Sequence, residues 1–547
     1  MTKKNAGAAM VEAMAAHGVR RCYTVPGESF LPLLEAADNH DEIQLISTRH
    51  ESGASFMAEA DARLTGAPAV AMATRGPGAC NLSIGVHTAH EGSTAMLVVL
   101  GDVETDLSYR GAFQEVDLAT MYAPITKMAL RATRGDRLDE LTSYALRVAT
   151  SGCPGPVAIT VPQDVLDAEF ATISSLPVPA TSPGAPDPES MSALAARLRQ
   201  AHAPVAIVGE GAVACRDDLV GFAAEFGVGV YTGFRRQDAF PNNHPNYLGH
   251  LGLAPVPSTL AALRSADVVL VLGTRLTEVT SQRFTLPAPT SYVCQVDTEP
   301  ATLAAHAALD LAVVADVGQT VRALRRLGGP ATPRDWDVER SAFVASTRPA
   351  PSRASVGLDP VEVVATMTAV LPRDTIVASD AGNFAASLHR FWTFDHPRSQ
   401  LAPTNGAMGY AVPAGVAGAL ATTGRHVISV VGDGGFLMTG QEIETAVREN
   451  LSLTVLVMRN GLHGTIAMHQ ALRGVKPAAT AIGDVDLSQY ARAFGARGIR
   501  VDDGGALADA LRLGHHEGGV TIIDAVLDPD LITPAARLSE LRDLRAS

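Results

Sequence analysis

Cysteine is scarce in this 547-residue chain: five residues (Cys22, Cys80, Cys153, Cys215, Cys294) are scattered, odd in number and without a C-x-x-C pair. That spacing excludes a disulfide framework and a zinc ribbon, and the five are expected to be buried thiols in a reducing compartment. Aromatic residues make up only 5% of the chain. Long apolar runs are missing too, since no window reaches the roughly 18 uncharged apolar residues that cross a bilayer. The first stretch, "MTKKNAGAAMVEAMAAHGVRRC", begins basic, but Glu12, His17 and Arg20 interrupt its helical periodicity, so it lacks the apolar core of a signal peptide. A cytoplasmic location is expected. Positive charge is also in deficit, with 43 Lys and Arg against 57 Asp and Glu and a net charge of −14. Nucleic acid is excluded as the main partner, because phosphate backbones need clustered cations. A phosphate can still be held locally, through backbone N–H groups and a metal ion.

What the chain does have is aliphatic residues and glycine, with 47% hydrophobic content, the composition of an α/β protein that buries parallel sheets. At about 150 residues per domain the length predicts three or four domains, and three fit the punctuation. Prolines too dense for helix or strand fill Ser174 to Ser190 and recur from Gly328 to Pro360. They divide the chain into 1–173, 190–327 and 358–547. Each block alternates β-branched runs with Ala-rich helical patterns. The runs are "PAVAMAT", "STAMLVVLGD" and "GPVAITVP" in the first, "APVAIVGEG", "ADVVLVLGT" and "SYVCQVD" in the second, and "DTIVASDAG", "HVISVVGDG", "LTVLVMRNG" and "VTIIDAVL" in the third. The expected fold class is α/β, with three tandem doubly wound parallel-sheet domains.

In "RHVISVVGDGGFLMTGQEIETAV" the strand is expected to run to about Val431 and a helix to begin near Gly440, with Thr439 and Glu442 at capping-box spacing. Asp433 then sits on a strand-to-helix turn at the carboxyl edge of a parallel sheet, where such folds bind ligands. Gly432, Gly434 and Gly435 let backbone N–H groups approach an anion. A carboxylate beside an anion cradle repels the anion unless a cation lies between them, and Mg²⁺ suits a site of a few protein oxygens plus phosphate. The next strand ends at Asn460, so the Asn460 amide oxygen and the Leu462 carbonyl are candidate further ligands. Taken singly, Asp433 as a turn cap and Asn460-Gly461 as an ordinary tight turn are equally good readings.

G-D-G followed about 25 residues later by Asn, at the ends of consecutive strands, resembles the cofactor motif of thiamine diphosphate enzymes. The resemblance continues in the family's order through the rest of the chain. "ISTRHESGASF" is similar to its R-H-E segment, "ATRGPGACNLSIG" to its G-P-G-x-x-N turn, "GAFQEVDLA" to the F-Q-E-x-D segment of the acetolactate synthase-like branch, and "PTNGAMGYAVPAG" to the segment that holds the bent cofactor. The resemblance implies a pyrimidine-binding domain, a central Rossmann-like domain and a diphosphate-binding domain. It implies that Glu51 hydrogen-bonds the aminopyrimidine ring and starts the cycle, with Asp433, Asn460 and Leu462 as Mg²⁺ ligands. Gly27, Pro77, Asn81, Gly382, Asn383, Gly406, Met408, Gly432, Gly434, Gly435 and His463 become cofactor contacts, Met408 wedging between the two rings. Phe113 and Gln114 are placed on the substrate side. Glu51 and Asp433 fall in different domains, so the resemblance implies a homodimer at minimum and a homotetramer as common.

The match departs from the synthases at His463 and His469, where that group carries glutamine and tryptophan. Either histidine is a candidate proton donor near substrate, or a packed or solvated residue at a helix start. The departures turn the expectation from acetohydroxyacid synthesis for amino-acid supply toward decarboxylation and carboligation of a 2-oxo acid more generally. A carbon–carbon lyase acting on 2-hydroxy ketones or 2-hydroxyacyl-CoA, with the arginines of "FRRQD" for CoA, and a noncatalytic relative are the alternatives. In the central block "PVAIVGEGAVA" has G-x-G-x-x-A after a strand but no acidic residue about 20 positions on. This weighs against FAD, which some members of the group carry there.

Overall fold

The computed structural model describes residues 3–171, 178–179, 181–253, 255–305 and 307–546. Only 174–177 and 180 of the proline-rich stretch from Ser174 lie outside those residues, and the helix Pro188–Gln200 starts at its far end. Three six-stranded sheets, all parallel, follow one another along the chain. The first has spatial order Gln44–Ser47, Arg21–Thr24, Ala69–Thr74, Met96–Asp102, Pro156–Pro162, Met128–Arg131. The second runs Tyr247–His250, Gly229–Thr232, Pro204–Val208, Val268–Leu272, Tyr292–Asp297, Leu311–Val314. The third runs Gln400–Leu401, Ile376–Ser379, Val427–Gly432, Leu453–Arg459, Val520–Val526, Arg497–Val501. A short antiparallel pair, Lys3–Asn5 with Glu169–Ala171, ties the first domain's ends together.

Helices cover both faces of each sheet, so inner strands lose their polar alternation. Met96–Asp102, Pro156–Pro162 and Val268–Leu272 are buried at every position, as expected for β-branched runs sandwiched between helical layers. The hydrophobic packing has one feature that crosses domains. Residues of the first and third domains, including Phe56, Met57, Leu82, Tyr410, Val416, Phe436 and Ile443, form a single continuous buried cluster. Its centre is the helix Glu51–Thr65 laid against Ala411–Ala421, with the Phe56 ring meeting Tyr410 edge-on at 5.5 Å. The Tyr410 hydroxyl donates to Glu59 at 2.5 Å, satisfying two polar groups that the apolar contact would otherwise strand.

The central domain is joined to this pair through buried arginines. Arg63 donates to the carbonyls of Ala402 at 2.7 Å and Arg235 at 2.8 Å. Arg235 donates to the Pro403 carbonyl, and Arg236 reaches the Gly92 carbonyl at 2.8 Å and Glu210 at 3.0 Å. These contacts correct one expectation. Arg235 and Arg236 of "FRRQD" are each only 5% exposed, committed to holding three domains together and not open to a CoA phosphate. The five cysteines are all free, but the expectation that all are buried holds only for Cys22 and Cys294: Cys153 and Cys215 are half-buried, and Cys80 is exposed beside Asn81. No helix among the described residues is long and apolar enough to cross a membrane.

Candidate functional site

The strand Val427–Gly432 ends in glycine and the chain turns directly into the helix Asp433–Thr439, seven residues earlier than the capping-box reading placed it. Thr439 caps nothing there. Its hydroxyl donates to the Gly409 carbonyl at 2.7 Å, and Glu442 opens a second helix, Glu442–Arg448, with its carboxylate turned toward the first domain. Asp433 is the first residue of its helix and is 4% exposed. One carboxylate oxygen accepts from Gly434 N at 3.0 Å and the other from Gly461 N at 2.7 Å. Asp433 and the Asn460-Gly461 turn are thus brought together at the ends of adjacent strands, Gly432 being paired with Met458.

Burial pushes the Asp433 carboxyl above the ordinary carboxylate range, against the pull of the Gly461 and Gly434 amides and of Arg459. An acidic group kept in such a place favours a cation that reverses the cost of its charge. Asn460 lies alongside, its side-chain oxygen accepting from Leu462 N at 3.1 Å. The loop is pinned from outside, where Leu462 bridges Ala481, His463 N donates to Thr480 and Ile482 N to Gly461. Among the described residues no group of three or more His, Cys, Asp or Glu is arranged to hold a metal. The candidate donors are instead the Asp433 carboxylate, the Asn460 amide oxygen and the Leu462 carbonyl, a set of hard oxygens whose chemistry would suit Mg²⁺.

The glycines of this turn are needed for close approach. A Cβ on Gly435 would lie 2.0 Å from an Asp380 oxygen, one on Gly434 3.0 Å from the His463 ring, and one on Gly432 3.1 Å from Phe384. Asp380 itself was not singled out in the sequence. It directly follows the strand Ile376–Ser379, is fully buried, and accepts from Ala381 N at 2.8 Å, Gly409 N at 2.8 Å and Tyr410 N at 3.3 Å. Burial lifts its carboxyl to about 6, opposed by those three amides and by Arg235. The signal was present, because "SDAG", like "VGDG", puts an aspartate at a strand end with a glycine close behind it. Beyond it Gly382 and Asn383 lead into the helix Phe384–Phe391, and the Asn383 oxygen accepts from Thr465 at 2.8 Å. Gly406 is exposed with φ 76°, and Met408 is half-buried on the same segment.

Glu51 lies in the first domain as the first residue of the helix Glu51–Thr65, whose N-cap is His50. Its carboxylate accepts from the Asn81 amide at 3.0 Å, and a Cβ on Gly78 would touch it at 3.4 Å. Pro77 and Asn81 are exposed on the first turns of the helix Arg75–Gly92. Gly27 packs its backbone onto Thr74, 2.3 Å from where a Cβ would fall, and so fixes the adjacent loop. Gln114 has φ 64°, its carbonyl accepts from Gly76 N at 3.0 Å, and its buried side-chain oxygen has no partner among the described residues. Phe113 is 76% exposed. The His463 ring faces Gly434 in the turn, whereas His469 is exposed further along the helix Gly464–Leu472, so the structure separates these two candidates. No hydrogen bond or ion pair among the described residues joins Glu51 to Asp433. In one chain the two halves meet elsewhere, in the cluster around Phe56 and Tyr410 and at Glu442.

Comparison with known proteins bears on the family of the chain. Models of the thiamine pyrophosphate enzyme family match in order: the N-terminal TPP binding domain over residues 4–121, the central domain over 191–324 and the C-terminal TPP binding domain over 380–525. The acetolactate synthase isozyme 1 large subunit of Escherichia coli is 31% identical over 89% of this chain and 87% of its own length. The probable acetolactate synthase large subunit of Methanocaldococcus jannaschii is 27% identical over 97% and 94%. In fold, the chain superposes on the thiamine diphosphate-dependent 4-hydroxybenzoylformate decarboxylase of Rhodococcus jostii RHA1 with TM-score 0.85 and 21% identity, covering 96% of this chain and 100% of that one. With its three sheets, its Asp433–Gly461 turn and these relatives, the chain belongs to the thiamine pyrophosphate-dependent enzymes and is an enzyme of the acetolactate synthase-like group.

Proposed function

We propose that this enzyme uses thiamine diphosphate with Mg²⁺ to act on a 2-oxo acid, by decarboxylation and then carboligation. The observation that carries the reading is the Glu51 carboxylate at the head of its helix, steadied by a single side-chain donor, Asn81, on an exposed turn. That leaves its other oxygen able to face a ligand. In this reading Asp433, Asn460 and the Leu462 carbonyl hold the metal. Gly432, Gly434, Gly435, Gly382, Asn383 and His463 surround the diphosphate, and Gly27, Pro77, Asn81, Gly406 and Met408 bound the ring system. When bound, the cofactor supplies a nucleophilic carbon and an electron sink for loss of CO₂. Glu51 holds a proton on the pyrimidine side and shuttles it. Gln114 meets the substrate with the oxygen that lacks a partner, and Phe113 covers it from water. His463, against the cofactor turn, is the better placed of the two histidines to give up a proton. Residues 1–173, 190–327 and 358–547 act as the three domains.

Glu51 and Asp433 are not joined within one chain, and apolar side chains stand exposed on cofactor-facing segments of both halves: Tyr109 at 89%, Phe113 at 76% and Met438 at 50%. A second copy covering them supports a homodimer as the smallest active unit. Glu51→Gln is expected to abolish turnover while the cofactor stays bound; full activity in that variant would defeat the reading. The substrate is found by incubating the purified protein, thiamine diphosphate and Mg²⁺ with a panel of 2-oxo acids and acyloins. Release of CO₂ supports the decarboxylase reading. Aldehyde without CO₂ supports a lyase acting on 2-hydroxy ketones, a reading favoured only by the departures at His463 and His469.

A further inference from the structure

We propose that Glu442, a residue of the third domain, is a positioning residue for Glu51 of the same chain, an inference that rests on Glu51 being the group that engages the cofactor. Glu442 is fully buried. One of its oxygens accepts from Arg49 N and His50 N, both at 3.0 Å, and the other from Arg49 N at 3.2 Å and the Thr445 hydroxyl at 2.8 Å. On the far side of Glu51, a Cβ on Gly53 would lie 2.4 Å from the first oxygen. The carboxylate therefore spans the turn on both sides of Glu51. It touches the two residues before it and the one two places after it, without occupying the face where Asn81 meets Glu51. A carboxylate in that place also lies at the positive end of the helix Glu51–Thr65, which favours its negative form.

A side chain that merely glued two domains would reach any free donor along the interface. Here both accepted backbone amides belong to the turn that aims one side chain, and removing the anchor would leave those half-buried amides without that partner. The groups facing Glu442 are Arg49, itself paired to Glu444 at 3.2 Å, His50, whose ring accepts from Ser52 N, and Tyr490 from the helix Leu487–Ala493. Every partner contact needs an acceptor, so the ionised carboxylate matches the site and a protonated one sets an O–H against N–H donors. Burial raises this carboxyl to about 7, with Thr445 and the Arg49 and His50 amides opposing the shift. The alignment of Glu51 therefore loosens as pH falls below neutrality.

The test uses the full chain loaded with thiamine diphosphate and Mg²⁺ and reads hydrogen–deuterium exchange at C2 of the bound cofactor, which needs no substrate. Cofactor affinity by calorimetry and the thermal midpoint are measured in parallel. Glu442→Gln keeps one acceptor for the Arg49 and His50 amides and resembles the protonated state. Expected are exchange slowed at pH 8 by about tenfold to a hundredfold, loss of the wild-type fall in exchange between pH 8 and 6, and cofactor affinity within about twofold. Gly53→Ala, which crowds the same oxygen without changing the charge of Glu442, is expected to slow exchange equally. Wild-type exchange and an unchanged pH profile in both variants would overturn the proposal. So would losses of affinity and thermal midpoint in step with exchange, which assign Glu442 to domain packing alone. Glu51→Gln is the control: if it exchanges normally the reading of Glu51 fails, and if it is inert while both variants behave as wild type only the role of Glu442 fails.

Discussion

Replacing Asp380 with asparagine should change stability with opposite sign on the two sides of neutrality. The carboxyl lies at about 6 in the folded protein against an ordinary 3.8, so the folded chain holds the proton more tightly than the unfolded one. That difference corresponds to about 3 kcal/mol, present below pH 4 and lost as pH rises through 6. About 2 kcal/mol of it falls between pH 4.5 and 7.5. Asparagine does not ionise, and it offers one acceptor where Ala381, Gly409 and Tyr410 present three amides. At pH 4.5 the variant is expected to be less stable by about 1 kcal/mol, the low end of the cost of an unpaired buried donor. At pH 7.5, with the charged wild-type group penalised, it should be more stable by about 1 kcal/mol. At roughly 2–4 °C per kcal/mol for a domain of this size, the difference in thermal midpoint between variant and wild type should swing by about 4–8 °C between the two pH values. The scans are run without cofactor or metal. The same difference at both pH values would show that Asp380 is not held up by burial, and the reasoning would fail.

Further perturbations follow from the same turn. Asp433→Ala should weaken cofactor binding in Mg²⁺ buffer by tenfold or more and abolish the effect of a chelator, read by calorimetry; tight binding indifferent to chelator in both proteins would remove the metal assignment. Gly435→Ala places a Cβ 2.0 Å from the Asp380 carboxylate and should cost about 1–3 kcal/mol of stability together with cofactor affinity, measured by thermal scan and titration. Arg459 donates to Asp524, whose side chain is fully buried, at 2.8 Å. Arg459→Met should leave that carboxylate unpaired and cost about 3–5 kcal/mol, with a thermal midpoint unchanged at neutral pH counting against the pairing.

The parts of the fold legible in the sequence are those whose burial is two-sided. The aliphatic runs quoted from the sequence all form inner strands, whereas the inner strands Arg21–Thr24 and Gly229–Thr232, which hold no such run, went unnoticed. Gln44–Ser47, Leu311–Val314 and Arg497–Val501 escaped notice because they are short and unevenly buried at sheet edges, where one-sided burial dilutes the pattern. The turn Asp433–Gly461 was legible because its chemistry is local to two strand ends. Thr439 and Glu442 were misread for the opposite reason. Their spacing looks like a capping box, but their partners Gly409 and Arg49 stand 30 and 393 residues away, which no window along the chain can see. Arg235 and Arg236 misled in the same way, since only the packed structure shows that three domains close over them.

The cluster that fuses the first and third domains sets a condition on how the chain is made. Helix Glu51–Thr65 leaves the ribosome with its apolar side ready, but Ala411–Ala421, which covers it, follows roughly 350 residues later. At about 5–20 residues per second that is a wait of some tens of seconds. Through it Phe56, Met57 and their neighbours stand open to water or to a chaperone while the central domain is completed. Synthesis rate and holdase supply, more than final stability, should therefore govern how much of this protein a cell recovers folded.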